Sequence, residues 1–118
     1  MMRWVAVLLL AAAPAMAQQA TNSAPGGELR LLDKVTGVTT DIRLSRGETR
    51  PFGRLGITMG ECRYPAENPN SDAFGWVEIR DESIDRPAFS GWMIASSPAL
   101  HALDHPRYDV WLLRCNRE

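Results

Sequence analysis

Between Phe89 and Trp111 the chain reads FSGWMIASSPALHALDHPRYDVW, and most of its residues able to do chemistry lie in that stretch. His101 and His105 stand four apart, a spacing that puts two imidazoles on one helix face and can chelate zinc or copper. Such a site needs a further ligand, and Asp104 and Asp109 are nearest in the chain. The glutamate of an H-E-x-x-H motif is missing. Pro106 follows His105 directly, so His105 falls at a helix end, where capping a carbonyl is the ordinary role. Ser96 and Ser97, with a histidine and Asp109, have the residue types of a hydrolase. A nucleophilic serine needs a strained turn and oxyanion donors, and no G-x-S-x-G pattern supplies them. We assign no catalytic residue, no metal ligand and no cofactor.

The aromatic residues offer binding rather than reaction. Trp76, Trp92 and Trp111 with Tyr108 could form a platform for a sugar ring or a peptide, or could fill a core, each burying 150–250 Å². Trp76 alternates with charged neighbours and is expected at the surface, with two of the three tryptophans in the core. Glu78, Asp81, Glu82 and Asp85 read as a solvated charged turn, because a glycosidase pair must converge in a cleft. Asp33 and Asp109 interrupt apolar strands and are expected to pair with Lys34, Arg107 or the backbone.

The elements that position these residues begin after the N-terminus. Met1 to Arg3 is a short positive start, Val5 to Ala13 an apolar run, and Ala15-Met16-Ala17 a small-x-small cleavage pattern. The run is shorter than the roughly 20 residues that span a bilayer. We expect residues 1–17 to be a cleaved signal peptide that sends the chain to the periplasm, with no membrane span. Arg3 is the only charge removed, so the remaining 101 residues carry 12 basic against 14 acidic side chains. That balance lacks the basic footprint of a nucleic-acid or anionic-lipid binder. Cys62 and Cys115 are the two cysteines. In an exported domain an even count points to a disulfide, whereas redox or metal-binding thiols usually stand at C-x-x-C spacing.

Residues 18–28 are small and polar, with nothing to bury, and read as a flexible leader to a single β-rich domain at 29–118. From Leu29 the period is two. Leu29, Leu31 and Val35 share one face, and Val38, Thr40, Ile42 and Leu44 alternate with polar residues. Thr36-Gly37 joins these runs as a hairpin, and Arg46-Gly47 is a second turn. Pro51 confines its segment to an edge or a strand end. Arg54 to Cys62 is a strand in which Cys62 has the wrong parity for the core unless a bulge intervenes, with Gly60 the obvious place. Further strands follow at Ala73 to Arg80, Phe89 to Ala95 and Tyr108 to Arg114. Ser97-Pro98 has the residues of a helix start, and Leu100 and Leu103 would dock a short helix over residues 97–104. The expected fold is all-β, a small sandwich or partly open barrel of six to seven strands with that one helix.

Several of these pieces together resemble one family. They are Leu32-Asp33-Lys34 with Thr36-Gly37, Phe52-Gly53 with Leu55, Cys62, Phe89-Ser90-Gly91-Trp92-Met93, Ala95 to Leu100, His105-Pro106, Tyr108 to Trp111, and Cys115. The chain is similar from Leu29 to Cys115 to the exported bacterial proteins of domain of unknown function 2155, typical of alphaproteobacteria. Ile94 stands where that pattern has phenylalanine, His101 where it has asparagine, Arg107 where it has a small apolar residue and Asp104 where it has glutamate. The resemblance implies export and a Cys62–Cys115 bridge, and assigns no activity.

The reading that results is a non-enzymatic, disulfide-stabilised adaptor that binds a protein partner in the cell envelope. The alternatives are a glycan- or peptide-binding module, or a metal-dependent or hydrolytic enzyme. The candidate binding residues are Trp76, Trp92, Ser96, Ser97, Leu100, His101, His105, Tyr108, Asp109 and Trp111.

Overall fold

The computed structural model describes residues 20–117, so the expected signal peptide lies outside the described residues. Eight strands run in the order β1 (Thr21–Ala24), β2 (Gly26–Asp33), β3 (Thr39–Ser45), β4 (Thr49–Phe52), β5 (Leu55–Pro65), β6 (Phe74–Asp81), β7 (Pro87–Ile94) and β8 (Tyr108–Asn116). They form two antiparallel sheets. One has five strands in the order β1-β5-β6-β7, with β4 also on β5, and the other has three in the order β3-β2-β8. Both sheets are open, and no closed barrel forms.

Period-two patterning builds the core between them. Leu29, Leu31, Ile42, Leu44, Val110 and Leu112 turn inward from the smaller sheet, and Leu55, Ile57, Met59, Val77, Ile79, Phe89 and Met93 from the larger. The expected turns are present, with Gly37 and Gly47 at φ 76° and 83°, a region that only glycine enters without cost. Pro51 lies in β4, an edge strand. The ladder between β5 and β6 slips between Met59 and Glu61, which is the bulge expected near Gly60. The slip corrects the parity, and Cys62 is fully buried. Its sulfur bonds that of Cys115, 53 residues away, and ties the larger sheet to the smaller one.

Four expectations are corrected. Thr21 to Glu28 is not a leader but belongs to β1 and β2, with Pro25 where the chain passes from one sheet to the other. Pairing with β5 holds β1 through backbone groups, which a polar sequence supplies as well as an apolar one. Val35 and Val38 are not inward but exposed, in the turn beside β3. Residues 97–104 form no helix, and no helix occurs among the described residues. The Leu100 N–H donates to the Ser97 carbonyl, so Ser97-Pro98-Ala99-Leu100 is a single turn. Proline at its second position suits a turn as well as a helix start. Leu103 is buried as expected, while Leu100 is 74% exposed.

Candidate functional site

Among the candidate residues, the fold brings Trp76 and Trp92 together. They are direct cross-strand partners on β6 and β7. The Ala95 N–H donates to the Ala73 carbonyl, and from there the pairs alternate, so Trp76 and Trp92 form a non-hydrogen-bonded pair, the closer of the two kinds. Their rings meet edge to face at 5.6 Å and 77° on the outer face of the larger sheet. They are 38% and 39% exposed. Beside them on β5, Arg63 bridges Glu61 at 2.7 Å and reaches Thr21 and Ser23 of β1. Trp76 is at the surface as expected. The expectation of two core tryptophans is corrected, because Trp92 is exposed and Trp111 is half-buried on the other sheet, opposite Arg30.

His101 lies beside this pair. Its Nδ1 is 3.0 Å from the Trp92 carbonyl, so that nitrogen carries the proton and donates. The ring packs against Phe89 at 4.6 Å and lies over Gly91, where a Cβ would overlap it. Leu100, next in the chain, projects into solvent.

His105 belongs to a different, inward cluster. Its Nδ1 accepts the N–H groups of Arg107 and Tyr108 at 3.0 and 3.2 Å. Its Nε2 therefore carries the proton and donates to Asp81 Oδ2 at 2.7 Å. Asp81 is 8% exposed, so it is not part of a solvated turn. Its Oδ1 accepts the Ser83 N–H and hydroxyl at 2.9 and 2.7 Å. The Ser83 N–H first, then His105 and the Ser83 hydroxyl, hold the Asp81 carboxyl well below the usual carboxylate range. Tyr108 is buried and packs against Phe52 and His105. This arrangement has the carboxylate–imidazole half of a triad, but backbone N–H groups occupy the nitrogen that a nucleophile would need.

The remaining candidates are spread out. Ser96 donates through its hydroxyl and N–H to Asp72 at 2.7 and 3.0 Å, not to either histidine. Ser97 donates its N–H to the Ile94 carbonyl. Asp109 pairs with Lys34 at 3.7 Å, as the sequence leads one to expect. Asp33 pairs with Arg107 at 2.9 Å, and that guanidinium, with the Val35 and Thr36 N–H groups, lowers its pKa. Among the described residues no three His, Cys, Asp or Glu side chains converge in a metal-binding group.

The contacts of Asp72, Asp81 and Gly91 are what sequence reasoning missed. Asp81-Glu82-Ser83 carries the spacing of an Asx turn, a signal that could have set Asp81 apart from the other carboxylates. An open groove of about 490 Å³ lies beside the disulfide, lined in part by Tyr64, Asp72, Ser96, Arg114 and Cys115.

An uncharacterised protein of Rickettsia prowazekii (strain Madrid E) is 30% identical over 92 residues, covering 75% of this chain and 59% of that relative. The chain thus spans less than two thirds of the relative it matches. No solved structure matches. Residues 27–115 match the family described as "Uncharacterized protein conserved in bacteria" (DUF2155), and on the extent of that match the chain belongs to this family.

Proposed function

We propose that the chain is an exported, disulfide-stabilised, non-enzymatic domain that docks a protein partner in the cell envelope through the outer face of its larger sheet. The observation that carries this reading is the Trp76–Trp92 pair, two large aromatic side chains each more than a third exposed where a sheet face is ordinarily polar. Exposed aromatics with an arginine beside them are the composition of interface anchors. The polar candidates for catalysis are meanwhile committed elsewhere, Ser96 to Asp72 and His105 to Asp81 and the backbone. The signal-like N-terminus, the disulfide and the lack of a long apolar helix among the described residues all fit a periplasmic domain.

In-cell crosslinking of the tagged chain, followed by mass spectrometry, tests this. One envelope protein recovered with the wild type and lost with Trp76→Ala,Trp92→Ala is the expected outcome. Loss of nothing, or recovery of the same protein with both forms, removes the aromatic pair from the reading. Because an edge-to-face pair also stacks against sugar rings, tryptophan fluorescence is titrated with soluble glycan fragments of the cell wall. Quenching by these alone favours the glycan module instead.

A further inference from the structure

The free edge of the larger sheet leads to a second conclusion, independent of the envelope partner. β7 ends that sheet and reads Pro-Ala-Phe-Ser-Gly-Trp-Met-Ile, without a charge. The other edges are blunted: β3 carries Asp41 and Arg43, β8 carries Asp109 and Arg114, β4 carries Arg50 and Pro51, and β1 is four residues long. An uncharged edge of this length is an open template for another strand. The alternation set by Ala95 and Ala73 turns the N–H and C=O of Ser90 and Trp92 away from β6, toward that edge.

The strand is also complementary to itself. Around Ser90, an antiparallel twofold pairing sets Phe89 opposite Gly91 of the second copy on the inner face. On the outer face it sets Trp92 opposite Ala88. Phe89 and Trp92 thus each meet a small residue, and Ser90, which is exposed, meets itself. His101 presently occupies the place of the incoming strand. It bonds the outward Trp92 carbonyl and lies over Gly91, the position that Phe89 of the second copy would cover.

We propose that β7 pairs with β7 of a second copy of this chain, centred on Ser90, and that His101 is the gate that must swing away. The two five-stranded sheets then become one, with both Trp76–Trp92 pairs on a continuous face.

Sedimentation equilibrium of the disulfide-bonded chain across a concentration series reads the dimer directly. His101→Ala is expected to lower the dimer dissociation constant about tenfold, because each of the two copies loses a competitor worth about 0.7 kcal/mol. Ser90→Lys and Ser90→Pro are expected to abolish dimers while keeping the monomer's melting temperature, because the Ser90 N–H bonds nothing on β6. Ser90→Cys is expected to crosslink to its own copy on oxidation, since residues facing each other in such a pair stand within disulfide reach. Monomers throughout, His101→Ala included, overturn the proposal. Dimers that persist unchanged in both Ser90→Lys and Ser90→Pro overturn it as well.

Discussion

At the scale of single residues, the best-determined chemistry is the Asp81–His105 contact. His105 is held from both sides, accepting at Nδ1 and donating at Nε2, and so joins the end of β6 to the segment entering β8. Asp81 is the member whose ionisation the fold favours. A carboxyl with its pKa lowered on folding adds stability that is complete above its unfolded value, and loses it as pH falls toward the folded one. Asp81→Asn is therefore expected to lower the thermal midpoint at pH 7. The gap to the wild type should close as pH drops below about 3.9, the ordinary aspartate value. A melting series from pH 7 to pH 2 checks this, and a gap that stays constant argues against it. Nothing in the sequence pairs these residues, since 24 positions separate them and only the β7 excursion folds them together.

Among the elements, the segment between β7 and β8 separates what was legible from what was not. Its boundaries and its Leu103 anchor were readable, because burial follows hydrophobicity whatever the backbone does. Its conformation was not, because Ser97-Pro98 serves a turn and a helix start equally well. With one hydrogen-bonded turn in place of a helix, Leu100 faces water while Leu103 stays in the core. Leu100→Ala is accordingly expected to change stability by less than about 0.5 kcal/mol. Leu103→Ala is expected to cost about 2–4 kcal/mol. Urea denaturation distinguishes the two, and equal costs would restore a docked helix. The hairpin, the two glycine turns and the bulge at Gly60 were legible because each has a local signature, a period or a glycine. β1 was not, since Thr21–Ala24 is held by backbone pairing with a strand some 40 residues away. The candidate site was half legible for the same reason. Exposure of Trp76 follows from its charged neighbours, but its contact with Trp92 depends on strand register.

For the molecule as a whole, the Cys62–Cys115 bond joins two open sheets that otherwise meet through side chains. A cross-link closing a loop of this length contributes about 4 kcal/mol in the chain-entropy view. Reduction, or Cys62→Ala with Cys115→Ala, is expected to lower unfolding free energy by about that amount, read as a fall in the urea midpoint. A midpoint unmoved by reductant would mean that packing between the sheets suffices alone. For a domain of this size, whose whole margin is about 5–15 kcal/mol, the bond is a large fraction. The same fact bears on timing. On the export proposed above, a chain threaded through a membrane channel has to remain pliable until it is across, and the smaller margin of the reduced form helps it do so. The bond then acts as a ratchet: it forms only on the side where thiols oxidise, and there it holds the chain closed.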